Sequence, residues 1–96
     1  MFKTGTKLRI GAVVLEDIGK ALSASGVDKV FIVKNAQEAL SVINEVIAKK
    51  EIDLLLVDDV IVSLIGKSKL VEIKYKHPFP AIVELETNRV SKPVNS

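Results

Sequence analysis

The chain of 96 residues contains no cysteine. That absence excludes disulfide frameworks, thiolate zinc sites, iron–sulfur clusters and thiol nucleophiles together. A single histidine, His77, rules out a multi-histidine metal site built from one chain. Aromatic residues are few, three Phe and one Tyr with no Trp, so aliphatic side chains must fill the interior. Glycine is scattered, and none stands in residues 15–18, where a dinucleotide or Walker-type phosphate loop would need it. Neither sign of charge dominates: 14 Lys and Arg face 12 Asp and Glu, a formal net charge of +2. Such a balance does not mark a nucleic-acid binder. No apolar run approaches the ~20 residues of a membrane span. Met1-Phe2-Lys3 followed by residues 11–15 imitates a signal peptide, but Glu16 and Asp17 cut the apolar stretch short. The chain reads as an intracellular soluble domain.

What is present is a core. Apolar residues make up 48% of the sequence, enough for a single compact domain. Residues 7–15 (KLRIGAVVL) are β-branched and nearly continuous in apolar character, the pattern of a strand covered on both faces, which favours a parallel sheet. Asp17 is placed to cap a helix carrying Ile18, Ala21 and Leu22, and Ser25-Gly26 supplies a left-handed stop. Residues 30–33 (VFIV) form a second short strand. Asn35 stands three residues before Glu38, a capping-box arrangement. Beyond it Ala39, Leu40, Ile43, Val46 and Ile47 share one helical face, and Gln37, Ser41, Asn44 and Glu45 share the other. Residues 52–57 (IDLLLV) predict a third strand with Asp58 and Asp59 at its carboxyl end.

Residues 60–76 carry two periodicities. Ile61, Leu64, Ile65, Ser68 and Tyr75 follow a rough helical face interrupted by Gly66, whereas Val71, Ile73 and Tyr75 also alternate with Glu72, Lys74 and Lys76 as a strand would. Topology decides for the helix. If residues 81–85 (AIVEL) form a parallel strand, a covering helix must cross over before it, and His77-Pro78-Phe79-Pro80 is the turn that ends the crossover. The expected fold is an α/β domain over residues 1–86, a small open four-stranded parallel sheet of order 2-1-3-4 with helices on both faces, Rossmann-like or flavodoxin-like. Residues 87–96 are polar, contain Pro93, and are expected to form a flexible tail.

Three acidic pairs, Glu16 with Asp17, Asp58 with Asp59, and Glu84 with Glu86, fall where open parallel sheets bind ligands. IDLLLVDD followed by PAIVELET resembles a two-component receiver domain. That resemblance implies Asp58 as phosphoacceptor, Glu16 and Asp17 as metal ligands, and Thr87 as a switch hydroxyl. It also implies a fifth strand with a lysine just after it, whereas Lys92 follows Thr87 by five residues, with no room for the intervening helix and strand. The plainer reading makes these acids helix caps and solvated strand ends. Lone Gly11 reads as a close-packing position. Lys67, Lys69, Lys74, Lys76 and His77 read as a solvated basic face, and His77 has no nucleophile or acid beside it in sequence.

Several short stretches, taken in order, resemble the F-subunit family of the archaeal and vacuolar-type (A/V-type) rotary ATPases. They are residues 21–27 (ALSASGV), 37–40 (QEAL), 52–59 (IDLLLVDD) and 79–84 (FPAIVE), and the resemblance spans residues 7–86. It implies a non-catalytic central-stalk component without cofactor or metal. The implied neighbours are the long coiled-coil protein of the stalk (the D component of the rotor) and the catalytic head, in the cytoplasm at the membrane periphery, with neither nucleic-acid binding nor membrane insertion. Val90 and Val94, the two large apolar residues of the tail, stand four apart and are the expected partner-binding positions.

Overall fold

A computed structural model describes residues 7–22 and 26–87. Strand β1 (Ile10–Val14) leads into helix α1 (Glu16–Leu22), followed by β2 (Lys29–Ile32), α2 (Ala36–Lys49), β3 (Leu54–Asp58), α3 (Asp59–Ile65), α4 (Lys67–Lys76) and β4 (Ala81–Leu85). The four strands form one sheet of order β2-β1-β3-β4, parallel throughout, as the strand–helix alternation requires.

β1 is the central strand, and Gly11 to Val14 are all buried, which explains why its sequence lacks polar alternation. Its expected length is trimmed at the amino end. Arg9 N–H donates to Asp53 Oδ2 at 2.8 Å, and the Arg9 carbonyl accepts from the Asp53 and Leu54 N–H groups. The Arg9 guanidinium closes a second link to Asp53 through Nε and Nη2, each at 3.1 Å. These side-chain and backbone hydrogen bonds hold the Asp53 carboxyl below the ordinary carboxylate range.

Alternation along the strands separates two faces. Val13, Leu55, Val57 and Ile82 join Ala39, Ile43 and Val46 of α2, Ile61 and Val62 of α3, and Leu70 and Ile73 of α4 in the main core. Gly11 lies under Ile52: a Cβ there would stand 3.3 Å from Ile52 Cδ1, so close packing is its role. Ala12, Val14 and Ile32 belong to the other face, where α1 packs. A Cβ on Gly19 would approach Ile32 Cγ1 to 2.7 Å, so the small residue lets α1 lie close over β2. α1 has seven residues and reaches no further. Among the described residues the β3–β4 half of this face therefore stays open: Leu56 and its register partner Val83 lie side by side, with Val83 46% exposed.

The ambiguous stretch after β3 resolves as two helices broken at Gly66, which adopts φ 98°, ψ 132°. Only glycine takes that backbone easily, so the break is a property of the residue. Strand periodicity over residues 71–75 does not win, because Leu70 and Ile73 both reach the core from a helix. No helix among the described residues is long and apolar enough to cross a membrane.

The capping box forms with a variation. Asn35 Oδ1 accepts from Glu38 N–H at 2.8 Å, while Glu38 Oε1 accepts from Lys34 N–H at 2.9 Å, one residue before the cap. The helix ends on Lys50 at φ 57°, ψ 35°, a left-handed position without glycine. Left-handed backbone costs an L-residue about 1–2 kcal/mol, part of which glycine's extra unfolded-state freedom cancels. Lys50→Gly is therefore expected to raise unfolding free energy by about 0.5–1 kcal/mol, read as a higher urea midpoint at unchanged slope. Asn35→Ala should lower it by about 1 kcal/mol in the same measurement.

Candidate functional site

The carboxyl ends of β1 and β3 meet at the topological switch point, where α1 and α2 lie on opposite faces and open sheets accept ligands. Asp58 stands there, the one buried charged side chain among the described residues, at 0% exposure. Its Oδ1 accepts from Val60 N–H at 2.9 Å, capping α3. Its Oδ2 accepts from Leu15 N–H at 3.1 Å, at the turn between β1 and α1. A buried carboxylate is tolerable only when hydrogen-bonded, and Asp58 has donors from two separate segments.

Its neighbour Asp59 opens α3 and faces the other way along the sheet edge. Thr87 Oγ1 donates to Asp59 Oδ1 at 2.8 Å, and Thr87 N–H donates to Oδ2 at 3.2 Å. Burial pushes the Asp59 carboxyl up, but the hydrogen bonds from Thr87, with those involving Asp58 and Val60 N–H, outweigh it and hold the group below its ordinary value.

The first acidic pair belongs to α1. Leu15, rather than Asp17, occupies the cap position: its carbonyl accepts from Ile18 N–H at 3.1 Å and Gly19 N–H at 3.0 Å. Asp17 sits within the first turn, where Oδ1 accepts from Ile18 N–H at 3.0 Å. Two carboxylates in that turn suit the positive end of the helix and disfavour a phosphate in the same place. Glu84 pairs in register with Val57 and is exposed, as is Glu86.

These placements correct the receiver-like reading. Asp58 is a buried structural acceptor and presents no carboxylate to a phosphoryl donor. The Thr87 hydroxyl is bound to Asp59, and Glu16 and Asp17 do not converge with Asp58 on a cation. Among the described residues no group of three or more His, Cys, Asp or Glu side chains is arranged to hold a metal ion. His77 ends α4, with its N–H bonded to the Ile73 carbonyl at 2.8 Å, and lines a cleft of about 270 Å³ with Lys69, Glu72 and Lys76. No hydroxyl or thiol nucleophile lines that cleft. Val90 and Val94 lie outside the described residues. The Thr87–Asp59 link is the feature that sequence reasoning missed, since two residues 28 apart carry no local signal for it.

Two measurements check this site. Asp58→Ala leaves the Leu15 and Val60 N–H groups without their acceptor inside the protein, and should cost about 2–4 kcal/mol in chemical unfolding. Thr87→Val should cost about 1 kcal/mol at neutral pH. Because the folded Asp59 carboxyl is depressed, its stabilisation is present above the unfolded-state value, about pH 4, and is lost as pH falls through the lower folded value. The gap between wild type and Thr87→Val should thus be constant near neutrality and narrow below about pH 4.

No curated protein and no solved structure matches the chain. The family model for the ATP synthase (F/14-kDa) subunit matches residues 10–94, running from the first residue of β1 through β4 and beyond. That span takes in the whole described sheet, together with the carboxyl-end acids committed to capping and cross-linking it. The chain belongs to the ATP synthase (F/14-kDa) subunit family.

Proposed function

We propose that the chain is a non-catalytic central-stalk (rotor) component of an A/V-type rotary ATPase. It binds the long coiled-coil protein of the stalk and couples ATP hydrolysis or synthesis in the catalytic head to rotor motion and proton transport. Its place is cytoplasmic, peripheral to the membrane within the assembled complex. The observation that carries this reading is the half-open sheet face. All-parallel sheets are covered on both sides, yet among the described residues Leu56 and Val83 lie beyond the reach of α1, Leu56 half-buried and Val83 46% exposed. A family of proteins that work inside a complex has a ready use for such a surface, and an enzyme working alone has none.

The domain proper is residues 1–86, and residues 87–96 act as a tail whose Val90 and Val94 contact a partner. Thr87 is the anchor from which that tail departs, being tied to α3 through Asp59. The tail serves coupling rather than folding, since its composition is polar.

The direct test is affinity purification of the full chain from cells that make the complex. A coiled-coil stalk protein should come with it, and its consistent absence overturns the reading. Purified alone, the chain should hydrolyse neither ATP nor acetyl phosphate. A turnover that survives purification and vanishes in Asp58→Asn would sink the non-catalytic assignment. Truncation after Thr87 should leave the thermal midpoint nearly unchanged while weakening ATPase activation in the reconstituted complex. Full coupled activity without residues 88–96 would remove the tail from the mechanism.

A further inference from the structure

Charge is unevenly distributed along the chain. α4 holds four lysines against one glutamate, a net of +3, whereas the whole chain carries only +2, so the remainder sums to −1. Two of those lysines share one carboxylate: Glu72 pairs with Lys76 at 3.2 Å and with Lys69 at 3.8 Å. Lys67 and Lys74 make no ion pair among the described residues.

The helix geometry places these groups around a ridge. Leu70 and Ile73 turn into the core. At 3.6 residues per turn, Tyr75 and Ser68 then lie diametrically opposite, with Val71 beside them. Lys67 and Lys74 border this ridge on one side, and the Lys69–Glu72–Lys76 cluster borders it on the other. Tyr75 is 88% exposed and Val71 is 62% exposed, one helical turn apart. A scattered apolar residue at the surface needs no explanation. A tyrosine and a valine one helical turn apart, with two unpaired cations along one flank, have the composition of an interface anchor.

We propose that the outer face of α4, Val71 and Tyr75 edged by Lys67 and Lys74, docks an α-helix of a neighbouring protein in the complex whose apolar stripe is bordered by Asp or Glu. The proposal rests on the reading that the chain works inside an assembly. The occupant is a helix because α4 offers no strand edge. Its backbone bonds are internal through the His77 N–H, and a narrow ridge of side chains seats in the groove between another helix's side-chain rows. The occupant is acidic because the two unpaired lysines steer and align an anionic border while the apolar pair supplies the buried contact. A nucleic acid or an anionic bilayer fits less well. Half of the helix's lysines are engaged by Glu72, the centre of the face is apolar, and the rest of the chain is weakly negative.

The absence of cysteine makes the test simple, because Tyr75→Cys introduces a single thiol. Maleimide labelling of that full-length variant is compared in the isolated chain and in the purified ATPase complex. Labelling should slow about tenfold or more on assembly, as expected for a position closed off from solvent. Lys67→Glu combined with Lys74→Glu should weaken assembly about tenfold or more at low salt, with the thermal midpoint of the isolated chain held, since both side chains are solvated. Equal labelling rates inside and outside the complex overturn the proposal, as does undiminished assembly of the double variant. If α4 stays open in the complex while the double variant loses affinity for anionic vesicles or duplex RNA, the face belongs to that ligand and the helix proposal falls. Failure of the wild-type chain to enter any ATPase complex defeats the stalk reading and this proposal with it. Entry with α4 still reactive defeats this proposal alone.

Discussion

One buried carboxylate holds the ends of this sheet together. Asp58 joins the turn after β1 to the first turn of α3 by accepting Leu15 N–H and Val60 N–H. Those two backbone groups would otherwise be short of acceptors at the strand-to-helix transitions, where neither the sheet ladder nor the helix ladder reaches them. The anion is kept in place by their dipoles and by the positive end of α3, and the surrounding aliphatic side chains shield it. The two central strands are thereby fixed in the register that lets Val13, Leu55 and Val57 pack as one layer.

The same commitment decides what the switch point does. In open α/β sheets this location is where nucleotides and phosphoryl groups are held, through glycine-rich turns and exposed acids. Here the turn after β1 carries Leu15, Glu16 and Asp17, and the acid at the end of β3 is consumed by capping. Asp59 is occupied with Thr87, which ties the end of the fourth strand back to the third. Side chains that hold ligands in other open α/β sheets are used here as connectors between segments.

Those surfaces are asymmetric. α2, α3 and α4 pack on one face of the sheet over Val13, Leu55, Val57 and Ile82, while among the described residues α1 packs on the other face over β2 and leaves Val83 exposed. The uncovered part is aliphatic, and the outer side of α4 is a cationic ridge with an aromatic centre. The two differ in chemistry: one is a flat apolar surface suited to a broad contact, the other a charged ridge suited to steering and alignment.

Much of this was readable in the residues. Unbroken aliphatic runs at residues 10–14 and 54–57 demand burial on both sides, which in a short chain means a parallel sheet with helical crossovers, and the order 2-1-3-4 follows from their handedness. Asn35 with Glu38 marked the start of α2, because capping is a local interaction over four residues. The family was legible from several short matches in order, although none was distinctive alone. Residues 71–75 were ambiguous by period, because helical and strand periods coincide over five residues; the crossover that a parallel fourth strand requires decided for the helix, and Leu70 and Ile73 reach the core from it. The capping part of Asp58's role was the plainer reading of its position, but its bond to the turn after β1 could not be read. A carboxylate at a strand end looks the same in sequence whether it faces solvent, a cation or two backbone N–H groups. Leu15 lies 43 residues away, and only the tertiary fold brings its N–H within 3.1 Å.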